Sequence, residues 1–342
     1  MRRFGLGLLT LLGALAPATA HAVTGAPMPL SEVQPGMQCT GYSVFKGIDV
    51  ETFDVKIEDI VGQSLSGEDQ TRIMVTVSGP RIDPTGVGPG FSGSPVYCPA
   101  PDGSMENVGA ISETIGDYGG HTVLATPIEQ ILATPINAPR APKPQTRSVI
   151  ADARDAAILA NAKPISTPLT LAGVQPEIMR QLTKVAARQG VALLAGPSTP
   201  ASRIPIRPFV PGSAVGVGLS SGAVALGATG TVAYVDGPKT WLFGHGFDTA
   251  GARSLLLQDA YVAKIINNPV SAGEDLSTYK YSGPVHDVGT VSDDGFNAVA
   301  GTTGALPPET VVRVAATDSD TDTVARTTTN VVDETGVDFP TG

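Results

Sequence analysis

Alternating hydrophobic and polar residues dominate the first third of the chain and predict β-strands. Phe53, Val55 and Ile57 alternate with charged residues, which predicts a strand with one buried and one solvated face. Residues 72–77 form a continuous β-rich run, and the Gly- and Pro-rich segment 83–90 that follows is predicted to be a loop. Strands resume in the second half of the chain, where short ones are predicted at 215–219, 224–226, 231–235 and 241–243.

Few segments show helical periodicity. A single helical turn is predicted at 127–132, a weak helix at 152–160 and a better helix at 175–189. Prolines and basic residues within 135–147 are typical of an extended linker and mark the best domain boundary. We therefore expect an all-β-dominated protein with a few short helices. The predicted parts are a signal peptide at 1–22, a first β-rich domain at 23–134, a Pro-rich linker at 135–172, a second β-rich domain at 173–317 and a flexible tail at 318–342.

The N-terminal residues are typical of an export signal. Arg2 and Arg3 precede an apolar stretch of about 12 residues, and the small-x-small sequence at 20–22 is a cleavage site. That stretch is too short to span a bilayer stably, so we expect a cleaved signal rather than an anchor. No apolar run of about 18 residues follows it, so no membrane span is predicted in the mature chain. The expected location is the cell envelope or the exterior.

Composition narrows the possible functions. Charged residues make up 16% of the chain and hydrophobic residues 42%, which favours a globular protein over a disordered one. Forty glycines and 29 prolines argue against helical repeats and coiled coils. The formal net charge of −10 argues against a nucleic-acid partner, because phosphate binding requires a positive surface. Nothing in the sequence predicts the oligomeric state.

Cys39 and Cys98 are the only two cysteines. In an exported protein they predict one disulfide, which closes a loop of about 60 residues, with two buried thiols as the alternative. Two cysteines and the widely spaced His121, His245 and His286 do not make a zinc motif, so we predict no metal and no other cofactor.

Residues 88–96, Gly-Pro-Gly-Phe-Ser-Gly-Ser-Pro-Val, are the strongest candidate for chemistry. Glycines on both sides of a serine let the backbone turn so that N–H groups point at a developing oxyanion. Ser92 is the candidate nucleophile and Ser94 its rival, with the N–H groups of Gly90 and Ser92 as oxyanion donors. An ordinary turn is the alternative interpretation.

A nucleophilic serine needs a base. His245 follows an apolar strand and lies between Gly244 and Gly246, which suits an imidazole held at a cleft. A packed turn histidine is the alternative.

A set of short motifs occurs in order over residues 28–316. They are Met-Pro-Leu-Ser-Glu-Val-Gln-Pro-Gly-Met at 28–37, Phe-Asp-Val at 53–55, Thr-Gly at 85–86, Gly-Phe-Ser-Gly-Ser-Pro at 90–95, Gly-Ala at 109–110, Thr-Pro-Ile-Glu at 126–129, Pro-Gly-Ser-Ala-Val-Gly-Val at 211–217, Ala-Thr-Gly-Thr-Val at 228–232, Phe-Gly-His at 243–245 and Val-Gly-Thr-Val at 288–291. Together they resemble the SpoIVB-type serine peptidase family, named for the stage IV sporulation protein B peptidase and grouped with trypsin-like enzymes. The hallmark of that family is Gly-Met-Ser-Gly-Ser-Pro, and this chain has Phe91 in place of the methionine.

The resemblance implies a trypsin-like double β-barrel and endopeptidase activity through an acyl-enzyme, without a metal. It assigns the nucleophile to Ser92 and the histidine to His245. In the sporulation enzyme the histidine block comes first, whereas here the serine block does, which is compatible with a shared cleft because a triad is defined by geometry. Where the family has its acid, this chain has no acidic residue, and the candidates are Asp294, Asp83 and Asp248.

Two hypotheses follow for the function. The first is an exported serine endopeptidase that acts on a protein or peptide substrate. The second is a catalytically inactive secreted or cell-envelope binding module on the same scaffold, which the missing acid favours.

Overall fold

The computed structural model describes residues 25–62, 70–115, 120–137, 152–165, 168–197, 201–267 and 278–334. The predicted signal peptide and most of the proline- and arginine-rich part of the linker lie outside the described residues. The described part of the chain forms two β-barrels with few short helices, so the predicted all-β double barrel is confirmed.

The first barrel is built from the N-terminal strands. These are β1 (Gln38–Val44), β2 (Val50–Val61), β3 (Arg72–Ser78), β4 (Pro95–Pro99), β5 (Met105–Ile115), β6 (Thr122–Pro127) and the short β7 (Ala162–Pro164). Six of them run antiparallel in the order β4-β1-β2-β3-β6-β5, and β5 pairs back with β4 to close the barrel. The side chains of Phe53, Val55 and Ile57 fill its core, as the alternation on β2 predicts.

The second barrel is built from the C-terminal strands. These are β8 (Leu169–Ala172), β9 (Leu193–Ala195), β10 (Ala214–Gly222), β11 (Ala225–Asp236), β12 (Lys239–Leu242), β13 (Gly251–Asn267), β14 (Thr278–Asp294), β15 (Val299–Thr303), β16 (Glu309–Asp318) and β17 (Thr323–Val332). The ring β10-β13-β14-β15-β12-β11 closes through pairing of β10 with β11. Its core contains Val215, Val217, Leu255 and Leu257.

Three short α-helices connect the strands in the part of the chain that the structure describes. They are α1 (Ile128–Leu132), α2 (Ala153–Ala160) and α3 (Pro176–Arg188), which agree with the three predicted helical segments. In α3, Pro176 occupies the first turn, where a backbone N–H would have no partner within the helix, so proline costs no hydrogen bond there. No helix among the described residues is long and apolar enough to cross a membrane.

Regular structure also lies within segments that were expected to be irregular. Strand β17 falls in the predicted flexible tail and pairs with β16 over its full length. It also pairs with the end of β10 in the second barrel. Threonine and valine dominate β17, and these β-branched residues favour strands even where few large apolar residues are present. Within the predicted linker, the structure places α2, β7 and β8.

The predicted disulfide between Cys39 and Cys98 is confirmed. Cys39 lies on β1 and Cys98 on β4, which are neighbouring strands of the first barrel. The Cα atoms are 4.3 Å apart, and both side chains are buried in the core. The bond therefore joins strands that are 59 residues apart in the chain.

Candidate active site

The serine block forms a tight turn between β3 and β4, at the contact between the two barrels. The N–H of Ser94 donates to the carbonyl oxygen of Phe91 at 2.9 Å, and Gly93 has a φ of +88°. This is a four-residue turn whose third position requires a left-handed backbone. A Cβ on Gly93 would overlap the carbonyl oxygen of Thr231 on β11, so only glycine lets the second barrel approach so closely.

Hydrogen bonds to carbonyl groups orient the peptides of this turn. The backbone N–H of Lys280, on β14, donates to the carbonyl oxygen of Pro89 at 2.9 Å. Because C=O and N–H point in opposite directions in a trans peptide, this bond directs the N–H of Gly90 away from β14. The hydrogen bond from Ser94 to the carbonyl oxygen of Phe91 likewise directs the N–H of Ser92 to the opposite side of its peptide, away from the N–H of Ser94. Both residues are buried, yet neither N–H donates to any residue that the structure describes.

The side chain of Ser92 is also unpaired. It is 0% exposed, and its Oγ has no hydrogen-bond partner among the described residues. An unsatisfied buried hydroxyl costs about 1–3 kcal/mol, and buried unpaired N–H groups are rare in folded proteins. The turn thus contains one hydroxyl and two N–H groups that are buried without a hydrogen-bond partner among the described residues. Such a set is suited to an alcohol nucleophile next to donors for an oxyanion.

The histidine block begins with a strained turn. The N–H of Gly244 donates to the carbonyl oxygen of Leu242 at 2.8 Å, and Phe243 between them has a φ of +68°. A γ-turn with positive φ at a bulky buried residue is a rare conformation, and strain of this kind is often found at functional sites. The turn ends β12 and places His245 at the junction of the barrels.

The structure brings the main chains of the two predicted blocks together. Thr231 on β11 donates its N–H to the carbonyl oxygen of Ser92 at 2.9 Å, and its own carbonyl oxygen accepts from the N–H of Phe243 at 3.2 Å. The N–H of Gly93 donates to the carbonyl oxygen of Ile111, against which Gly244 also packs. The serine block and the histidine block therefore share neighbours on both barrels.

The side chains of Ser92 and His245 are not paired. Nδ1 of His245 lies 2.7 Å from the carbonyl oxygen of Gly246, and Nε2 lies 3.3 Å from that of Ile165. Burial lowers the pKa of His245, with weaker opposing effects that include the nearby charge of Glu113. The neutral ring has one N–H, which Nδ1 donates over the shorter distance, and Nε2 then faces the Ile165 carbonyl.

None of the three candidate acids is bonded to His245 in the described structure. Asp294 is buried and accepts three backbone N–H groups of the loop that follows the histidine, so it holds that loop instead. Burial raises the pKa of Asp294. Asp83 accepts an N–H in the turn after β3, and Asp248 forms an ion pair with Arg253.

Sequence reasoning missed Lys280, whose side chain is only 4% exposed. Its Nζ lies 2.7 Å from Oγ of Ser43 and 3.2 Å from Oγ1 of Thr231, and Ser43 is in turn 2.8 Å from Oγ of Ser94. Burial lowers the pKa of Lys280 to about 7. The alternation of side chains along β14 could have identified it. Lys280 occupies an inward-facing position of that strand, between the outward-facing Tyr279 and Tyr281.

Among the described residues, no three His, Cys, Asp or Glu side chains converge on a common point. Comparison with known proteins finds no family model, no curated protein and no solved structure that matches the chain.

Proposed function

We propose that the protein is an exported serine endopeptidase that hydrolyses peptide bonds through an acyl-enzyme on Ser92. The observation that carries this proposal is the set of unpaired groups in the serine turn, namely Oγ of Ser92 and the N–H groups of Gly90 and Ser92. Preorganised N–H donors stabilise a tetrahedral oxyanion, and each is typically worth about 10²–10³ in rate. The resemblance of the serine and histidine blocks to SpoIVB-type peptidases points to the same chemistry.

His245 is the proposed base. It takes the proton of Ser92 Oγ as this oxygen attacks the peptide carbonyl, returns the proton to the leaving amine, and then activates the water that hydrolyses the acyl-enzyme. For this, Nε2 must leave the carbonyl of Ile165 and turn toward Ser92. Catalytic hydrogen bonds often form only in the substrate complex, so this rearrangement is compatible with the proposal. Ile165 follows β7, which lies at an edge of the first barrel.

Export is part of the same proposal. The buried Cys39–Cys98 disulfide is the kind of bond that forms in an oxidising compartment. The basic, apolar and small-residue pattern of residues 1–22 is typical of a signal peptide. These two features support a site of action outside the cytoplasm for the proposed peptidase.

A fluorophosphonate probe tests the nucleophile, because it phosphonylates activated serines. We expect wild-type protein to be labelled on Ser92 and the Ser92→Ala protein to lose that label. His245→Gln should slow labelling by about 10²–10⁴, the usual contribution of a general base. Ser104→Ala, which removes an exposed serine in the turn after β4, is the control and should label at the wild-type rate. Correctly folded wild-type protein that takes no label on Ser92 at any pH from 6 to 9 would refute the proposal.

The binding module is the second candidate. It is favoured by the hydrogen bond from Nδ1 of His245 to the carbonyl oxygen of Gly246, by the position of Nε2 against the carbonyl oxygen of Ile165 rather than Ser92, and by the engagement of Asp294 elsewhere. Absence of serine labelling together with an intact fold would support it.

A further inference from the structure

A second group of reactive side chains lies on the inner side of the serine turn. Oγ of Ser94 is 2.8 Å from Oγ of Ser43, which is 2.7 Å from Nζ of Lys280. All three side chains are buried, and they come from three different parts of the chain. We propose that Ser94, Ser43 and Lys280 form a serine–serine–lysine relay that activates Ser94 as a second acyl-accepting nucleophile, independent of Ser92 and His245.

The surroundings of Lys280 lack a structural reason for a buried cation. Among the residues that the structure describes, no carboxylate forms an ion pair with it. A buried lysine without an anion is costly to the fold. Burial alone lowers the pKa of Lys280 to about 7, so a large fraction of the amine is neutral near neutral pH. A neutral, desolvated lysine is a proton acceptor, and serine–lysine pairs are known variants of the serine hydrolase mechanism.

The hydrogen bonds form a continuous route for proton transfer from Ser94 to Lys280. Oγ1 of Thr231 donates its single proton to the carbonyl oxygen of Gly90 at 3.0 Å. It therefore accepts from Nζ of Lys280, which leaves the neutral amine a second N–H and a lone pair. Nζ lies 2.7 Å from Oγ of Ser43, and in the relay its lone pair accepts the hydroxyl proton of Ser43. Oγ of Ser43 then accepts the hydroxyl proton of Ser94. With a neutral Lys280, this arrangement lets each hydroxyl donate in the direction from Ser94 toward Lys280.

The protonated state is accommodated as well. The ammonium has three N–H groups, of which two reach Thr231 and Ser43. Nζ also lies 4.5 Å from the centre of the Phe91 ring, whose face attracts a cation. Both protonation states of Lys280 therefore have partners without movement of the backbone, which is what a group that gains and loses a proton in each turnover requires.

The reaction is acyl transfer from an ester or a peptide bond. Ser94 Oγ forms a bond to the carbonyl carbon, its proton passes to Ser43, and the Ser43 proton passes to Lys280 Nζ. Collapse of the tetrahedral intermediate breaks the bond to the leaving alcohol or amine, which takes the proton back through Ser43. Water then attacks the acyl carbon while its proton passes to Lys280. Cleavage of the bond to Ser94 releases the carboxylic acid, and the proton returns from Lys280 to Ser94 through Ser43. The cluster is buried, so an acyl donor reaches it only when the serine turn moves.

Active-site mapping tests the relay in the full-length protein. After reaction with a small fluorophosphonate or with p-nitrophenyl acetate, peptide mapping by mass spectrometry should find the modification on Ser94, and Ser94→Ala should lack it. Lys280→Arg keeps the positive charge but cannot supply a neutral amine, so modification of Ser94 should slow by about 100-fold or more. Ser43→Ala should have a similar effect. Ser112→Ala, which removes another buried serine of the first barrel, should have none.

The outcomes separate this proposal from the one based on Ser92. Modification on Ser92 alone overturns the relay and supports the Ser92 mechanism. Modification on Ser94 alone supports the relay and overturns the Ser92 mechanism. An unmodified folded protein refutes both. A Lys280→Arg protein that modifies Ser94 at the wild-type rate shows that only the charge matters and also overturns the relay. Thermal unfolding of each variant establishes that it is folded before its labelling is scored.

Discussion

Replacement of Lys280 by methionine tests the burial of this amine directly, through the pH dependence of stability. Methionine has similar length and no charge, so the variant keeps the stem that packs against Gly90 and removes the amine. The pKa of Lys280 falls from 10.5 to about 7 on folding. At about 1.4 kcal/mol per pH unit, this corresponds to roughly 5 kcal/mol of destabilisation of the wild type at and below pH 6.

The direction in which wild-type stability changes with pH follows from proton binding. Between pH 7 and 10.5 the unfolded chain holds a proton on Lys280 that the folded chain lacks, so wild-type stability rises with pH across this window. The variant has no such group. Its two lost hydrogen bonds, each worth about 1 kcal/mol, change little with pH. We therefore expect Lys280→Met to be more stable than wild type at pH 6, and this advantage to shrink by about 3 kcal/mol by pH 9.5.

Urea unfolding, followed by the fluorescence of the single tryptophan, Trp241, measures the free energy of unfolding at both pH values without reductant. Lys264→Met, which removes an exposed lysine of β13, is the matched control and should show the same difference from wild type at pH 6 and 9.5. A difference between Lys280→Met and wild type that stays constant within about 0.5 kcal/mol from pH 6 to 9.5 would show that Lys280 is not desolvated, and the reasoning would fail.

Three further predictions concern the packing around the site. Gly93→Ala should destabilise the fold by more than about 3 kcal/mol, because the added Cβ meets the main chain of β11. Gly103→Ala has a similar positive φ but open space around it, and should cost only about 1 kcal/mol. Equal shifts of the two variants in thermal unfolding would contradict this. Removal of the Cys39–Cys98 disulfide by paired alanine substitutions should lower the free energy of unfolding by about 4 kcal/mol, as urea titration can measure; a change below about 1 kcal/mol would argue against the chain-entropy account. Arg72→Met leaves the carboxylate of Glu113 buried without its ion-pair partner and should cost about 3–5 kcal/mol by the same assay, whereas a neutral effect would show that water reaches this carboxylate.

Much of the architecture is predictable from the amino-acid sequence, because the signals involved are local. Alternation with a period of two residues identified β2, since successive side chains of a strand face opposite sides. Pro176 and the following periodicity located α3. The cysteine pairing needed no geometry, since only two cysteines exist. Closely spaced glycines around Ser92 and His245 marked the two turns that lie together at the junction of the barrels.

Tertiary structure alone decided which polar groups meet inside that junction. Lys280 reaches Ser43 across 237 residues of sequence, and such a contact depends on how β14 of one barrel packs against β1 of the other. The partners of His245 and Asp294 were equally out of reach. The ring of His245 faces Ile165 of the first barrel, and the carboxylate of Asp294 binds a loop that lies more than 40 residues earlier in the chain. The pairing of β17 with β10 is a non-local contact of the same kind. A residue's own neighbours in the chain set its backbone preference, whereas burial and hydrogen-bond partners arise only when distant strands close into barrels.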